Sequence, residues 1–194
     1  MERGERVLII LIPHSERKKK GENRLLDSSI YREEITNEFK FIDESLLEGY
    51  ERYEGVMFKG LNYKTIDKER KEKFKEKIVV VNPLEGLSKL EDLTPNYKIK
   101  FSDKLNGRTL LNYWRDSEIE LVKAIRDREE IIGFLPEEHK KVVSEKIKFI
   151  NYKLYDNAGV IIGHSGKFKK GICIREIIEG MEIKEAVKKY NLRN

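Results

Sequence analysis

The stretch VLIILI at residues 7–12, ended by Pro13, decides the fold. Its six consecutive apolar residues are rich in β-branching and too few for a buried helix, so they predict a buried strand. Pro13 has no N–H to give to a ladder and closes it. A strand apolar on both faces needs cover on both, which points to helices packed on a sheet. Two further runs read the same way: KIVVV at 77–81, ended by Asn82-Pro83, and IIGFL at 131–135, ended by Pro136. YKIKF at 97–101 alternates as a half-exposed strand does, and KIKFINYKL at 146–154 alternates as an edge strand does. Residues 55–58 (GVMF) and 160–162 are short strand candidates.

Between these runs the chain predicts helices. Residues 28–50 place Ile30, Ile35, Phe39, Ile42, Leu46 and Leu47 at steps of three to five. Residues 67–77 (DKERKEKFKEK) read as a solvated helix supported by pairs such as Asp67 with Lys71. Residues 106–128 are amphipathic, with Leu111, Trp114, Glu118, Leu121, Val122 and Ile125 on one face. Residues 167–179 form the last long helix, Gly180 breaks it, and 182–190 add a turn or two. Residues 84–95 are turn-rich. The expectation is an α/β (mixed α+β) fold: a single domain over residues 1–194, with one mixed central sheet flanked by helices.

Composition narrows the classes. The chain has 194 residues, of which 39% are apolar and 39% charged, against a usual charged share of about 25%. Lys+Arg number 40 and Asp+Glu 35, a net charge of +5. One cysteine excludes an internal disulfide framework, and with three histidines it argues against a zinc finger. No apolar run approaches the roughly 20 residues that cross a bilayer. Residues 7–12 also fall short of the ~7–15-residue apolar core of a signal peptide. A soluble cytoplasmic protein with no membrane contact is expected. Abundant Lys, Glu and Ile resemble thermophile usage.

Several motifs are absent. GHSGKFKKG at 163–171 has Ile161 where a phosphate loop needs its first glycine, and Phe168 where it needs Ser or Thr. No G-x-G-x-x-G follows a strand, and no G-x-S-x-G occurs. His14, His139 and His164 lie far apart and have no ligand spacing with Cys173, so neither a metal nor a cofactor is expected. Cys173 has no His or Asp placed near it by sequence, which favours a buried inert thiol over a nucleophile.

Three segments carry chemistry. The loop after the first run, Pro13 to Gly21, holds Ser15, Lys18, Lys19 and Lys20 at the carboxyl end of a strand, where α/β sheets gather anionic ligands. The alternative is a solvated charged turn. The start of the last long helix holds Lys167, Lys169, Lys170 and Gly171, with Arg175 one turn further on. A helix N-terminus favours an anion, and the alternative is a surface helix with ordinary lysines. In LLNYWRD at 110–116, Trp114 suits the core while Tyr113 and Arg115 point elsewhere.

These pieces, in this order, resemble the YaaA family of peroxide stress resistance proteins. The match runs through Ile9-Ile10-Leu11-Ile12-Pro13-His14-Ser15 and the three following lysines, then Met57-Phe58-Lys59-Gly60 and Tyr63. It continues through Val81-Asn82-Pro83-Leu84-Glu85-Gly86-Leu87, Pro95, Tyr97-Lys98-Ile99 and Leu111-Asn112-Tyr113-Trp114. It ends with Lys167 to Gly171 and Arg175-Glu176-Ile177-Ile178, and so covers residues 7 to 190. The chain is shorter than the usual bacterial member, and it has His14-Ser15 and Asn82-Pro83 where that member has small residues. The resemblance implies a cytoplasmic protein of the hydrogen peroxide response that lowers free iron and binds DNA through a positive cleft. The hairpin expected for DNA contact is approached at residues 161–167, with one extra residue between its glycines.

Two functions follow. In the first, Lys18, Lys19, Lys20, Lys59, Lys167, Lys169, Lys170 and Arg175, with Ser15, bind double-stranded DNA without sequence preference. In the alternative, the same basic surface closes on a nucleotide or another phosphorylated small molecule, and Lys and Tyr side chains supply acid and base. Pro13, Gly60, Tyr97, Tyr113, Arg115 and Gly171 are then expected around the pocket. A concave pocket favours the second function and a broad basic face the first. A plain globular domain with merely solvated lysines is the third reading.

Overall fold

The computed structural model describes residues 8–21, 31–128, 130–163 and 166–194, so Val7, Ile30 and His164 lie outside the described residues. From β1 (Leu8–Pro13) the chain passes through α1 (Glu33–Glu38), β2 (Asp43–Glu48), α2 (Gly49–Arg52), α3 (Val56–Leu61) and α4 (Lys68–Phe74) to β3 (Ile78–Asn82). A hairpin leads into β4 (Gly86–Lys89), and β5 (Leu93–Asn96) follows. β6 (Lys104–Leu105) and β7 (Arg108–Thr109) form a ribbon ahead of α5 (Leu110–Asp116) and α6 (Glu120–Ile125). Then come β8 (Glu130–Gly133), α7 (Glu137–Val143), β9 (Ile150–Asn151), β10 (Lys153–Leu154), α8 (Lys167–Ile178), α9 (Ile183–Lys189) and β11 (Leu192–Arg193).

The fold is mixed α/β around a five-stranded sheet of order β4-β3-β1-β8-β9. β1 is central and parallel to β3 and to β8, β9 continues the parallel run, and β4 folds back antiparallel on β3. The apolar run of β1 serves two cores because side chains alternate across a strand. Ile9 and Leu11 face Val79, Val81 and Trp114, while Ile10 and Ile12 face Val80, Met57 and Ile174. Ile10, Leu11 and Ile12 are completely buried, and each such side chain contributes about 1.5–3 kcal/mol of transfer free energy.

Helix α8 lies against α3 so closely that the crossing needs glycine on both sides. A Cβ on Gly171 would collide with the Met57 carbonyl oxygen and sit 2.7 Å from the Leu61 nitrogen. One on Gly60 would collide with the Phe168 carbonyl oxygen. Among the described residues no helix is long and apolar enough to cross a membrane.

Local readings that lacked a long apolar run are corrected. In the expected helix 28–50, residues 31–50 yield only the short α1 before β2, which pairs with β5 through Leu46 opposite Pro95 and Leu47 opposite Thr94. That partner lies some fifty residues away and overrides local spacing, and it turns the end of the turn-rich segment 84–95 into a strand. GVMF opens helix α3 instead of forming a strand, because its apolar side packs on α8. Residues 97–101 keep alternating burial, with Tyr97, Ile99 and Phe101 inside, but belong to no strand. The amphipathic helix 106–128 is broken into α5 and α6 around Ser117. Thr109 caps α5 by accepting a hydrogen bond from the Asn112 N–H. Of residues 146–154 only 150–151 and 153–154 are strand, and Ile161 makes a single bridge with Tyr155. Helix α7 was not foreseen from the sequence. Its signals are Pro136 at the start, Glu137 and Glu138 in the first turn, and Lys140 and Lys141 in the last.

Candidate functional site

A cleft of about 870 Å³ opens at the carboxyl ends of the parallel strands. Its walls come from the segments leaving β1 and β8, the first turn of α3, and the start of α8. The strand order makes a crevice here, because β1 has β3 on one side and β8 on the other and the connections leave in opposite senses. Phe58, Phe101, Phe134, Leu135, Leu154 and Ile162 supply apolar surface.

Charge is sorted within the cleft. Six cations and four carboxylates line it. Arg17 lies 3.7 Å from Glu54, Lys100 3.6 Å from Glu16, and Lys153 2.6 Å from Glu137. Lys59, Lys167 and Lys170 have no carboxylate partner among the described residues. Burial, and then the neighbouring charges of Lys153 and Lys167, bring the Lys170 ammonium down to about 8. An anion beside it would restore the ordinary value, so binding and protonation of Lys170 are coupled.

Two histidines complete the cleft. His14 follows β1 and His139 sits on α7, just after β8. His14 Nδ1 lies 3.0 Å from His139 Nε2, and the rings stack with centroids 5.0 Å apart. Phe101 stands edge-on to both rings. Burial first, then His139 and Lys18, hold the His14 imidazole well below its ordinary range. Burial, then Lys167, bring His139 to about 4. Lys18 from the first loop and Lys167 from α8 both lower the His14 imidazole.

The sequence model of the family described as peroxide stress protein YaaA matches residues 17–193. The chain belongs to the YaaA family. An uncharacterized protein of Campylobacter jejuni is 27% identical over 122 residues, covering 63% of this chain and 49% of that one. A UPF0246 protein of Francisella tularensis is 24% identical over 152 residues, covering 72% of this chain and 60% of its own length. Its counterpart in Francisella philomiragia matches to the same extent. The chain thus spans about half to three fifths of the length of these curated relatives.

The expected site residues divide. Pro13, Ser15, Lys59, Lys167 and Lys170 line the YaaA cleft. Lys18 lies behind it: its Nζ donates to the Ser15 carbonyl at 2.9 Å and sits 3.6 Å from the centre of the Tyr97 ring. Burial, then Arg52, lower its ammonium to about 7. Tyr97 is buried with its hydroxyl 3.3 Å from that of Tyr53, so it supports Lys18 and does not line the cleft. Lys19 and Lys20 are exposed beyond the cleft lining, as is Lys169. Arg175 is committed to the end of α3, donating to the Asn62 carbonyl at 3.0 Å and to Thr65 Oγ1 at 2.7 Å, and pairs with Glu179. Tyr113 donates to Glu34, Arg115 pairs with Asp116, and neither lines the cleft. Gly60 and Gly171 serve the helix crossing. Sequence reasoning missed the histidine pair, although both apolar runs that lead to it are ended by a proline closely followed by a histidine, Pro13-His14 and Pro136-Glu137-Glu138-His139.

Proposed function

We propose that the cleft holds a nucleotide phosphate and that this binding is how the chain serves the peroxide response of its family. Lys59, Lys167 and Lys170 carry the reading. They are three cations without carboxylate partners, at the mouth of a concave cleft with apolar walls. Phosphate would sit on the lysines and the base against Phe58, Phe101 or Phe134. A concave site of this size suits a nucleotide unit better than the flank of a duplex. The unit is either a free nucleotide or part of a strand. Lys169, exposed between two cleft lysines, favours non-specific duplex DNA as a second reading. The buried lone thiol fits action in the cytoplasm.

Fluorescence anisotropy of labelled single-stranded and duplex oligonucleotides, with unlabelled ATP as competitor, tests the proposal. With three lysines meeting phosphate, log affinity against log salt has a slope of about −2 for single strands. ATP displaces the strand. Tight duplex binding that ATP leaves untouched would replace the nucleotide reading with the DNA-face reading.

A further inference from the structure

His14 and His139, 125 residues apart in sequence, share one hydrogen bond and leave two ring nitrogens over. His14 Nε2 and His139 Nδ1 are both buried, and among the described residues neither has a hydrogen-bond partner. Leaving a buried polar atom unpartnered costs about 1–3 kcal/mol. Here the fold carries two such atoms at one spot, in rings that line the cleft beside Lys167. Such a cost is tolerated where a ligand or a reacting atom completes the bonding.

The chemistry of the pair follows from proton counting. Two neutral imidazoles joined by one hydrogen bond share a single proton between their inner nitrogens. One outer nitrogen then carries a proton and the other is a bare lone pair. The pair accepts a proton at one end and releases one at the other, and its net charge does not change. Groups bearing on it are Lys18 from the first loop, Lys167 from α8, the Val81 carbonyl, and the two rings themselves. Both lysines disfavour a charged imidazole, which keeps the pair neutral and ready at neutral pH.

We propose that His14 and His139 are the proton-transfer pair of a phosphate-ester hydrolase site in this cleft. The inference rests on the nucleotide-phosphate reading above. A water molecule adds to phosphorus, and the bare outer nitrogen takes its proton. The shared proton crosses to the second ring. That ring's outer N–H protonates the departing oxygen as the phosphorus–oxygen bond to the leaving group breaks. The products are the protonated leaving group (an alcohol or a phenol from an ester, ADP from ATP) and the hydrolysed phosphate. The pair ends as its mirror tautomer, and proton exchange with water that enters beside the rings as product leaves resets it. Lys59, Lys167 and Lys170 balance the charge on the phosphate oxygens.

The test uses the full chain with ATP, 4-nitrophenyl phosphate, bis(4-nitrophenyl) phosphate and a short single-stranded oligonucleotide as probes. His14→Asn and His139→Gln keep an amide near the inner hydrogen bond but remove the relay. Wild type should turn over at least one probe, and each variant should lose about 100-fold or more in turnover while still binding ATP in calorimetry. Nitrogen-15 NMR of the imidazoles at neutral pH should show one protonated and one bare nitrogen on each ring. ATP binding without turnover of any probe, variants as fast as wild type, or an imidazolium signal at neutral pH would each overturn the pair's role. Failure to bind ATP at all would overturn the nucleotide reading and this inference together.

Discussion

Arg52 shows how a single residue positions the cleft wall. It is fully buried, and its guanidinium donates to backbone carbonyls of three separate segments. Nε donates to the Thr94 carbonyl at 3.0 Å, Nη2 to the Ser45 carbonyl at 2.6 Å, and Nη1 to the Lys19 carbonyl. One side chain therefore ties the basic loop after β1 to β2 and β5. The Lys19 N–H returns a bond to the Arg52 carbonyl at 2.8 Å. Arg52→Met would leave two buried carbonyls and a partly buried one short of a donor, and urea denaturation should show a loss of about 3–5 kcal/mol. A loss below about 1 kcal/mol would mean that the loop is held by other contacts. Nothing in the sequence marks Arg52, since one arginine among 40 basic residues has no distinguishing pattern. Lys167 and Lys170 were legible because a helix start announces itself, whereas Lys59 came from the family resemblance at Met57-Phe58-Lys59-Gly60 and sits on a helix where a strand was expected. His139 was not, because its helix is short and its partner is distant.

At the scale of elements, what the sequence shows and hides follows from where each element finds its support. β1, β3, β8 and α8 are legible because their apolar pattern alone requires burial. β2 and β5 are not, because each is specified by the other across the chain. The α3–α8 crossing is half legible: a glycine inside a helix costs about 1 kcal/mol and wants a reason, and the reason here is another helix's backbone, not a ligand. Gly171→Ala tests this. The added methyl must push α3 away from α8, at a cost of about 1–3 kcal/mol. Because Lys59 rides on α3 and Lys167 and Lys170 on α8, the same change should weaken nucleotide binding. Unchanged stability in thermal unfolding would contradict the close crossing.

At the scale of the whole molecule, the cleft makes stability depend on pH. The unfolded chain protonates His139 near its ordinary 6.5, whereas the fold resists until about 4. In that window the unfolded state binds more protons, so stability falls as pH falls. The slope for one such group is up to about 1.4 kcal/mol per pH unit. Glu85, raised to about 8 by burial and then by Asp92, acts in the opposite sense between 4.5 and about 8. The His139 contribution is therefore read as a difference. His139→Gln should lose less stability than wild type between about pH 6.5 and pH 5, by roughly 2 kcal/mol. Parallel acid limbs for the two proteins would show that His139 is not held neutral.

The account as a whole depends on α3 and the start of α8 closing one phosphate site with Lys59, Lys167 and Lys170. Calorimetric titration of ATP into wild type and into the Lys167→Gln/Lys170→Gln double variant tests this most directly. The account predicts saturable binding by wild type and at least about a 100-fold loss in the variant, since each charge-assisted phosphate contact contributes about 1.5–3 kcal/mol. Equal affinity in the two proteins, or no binding in either, would contradict it.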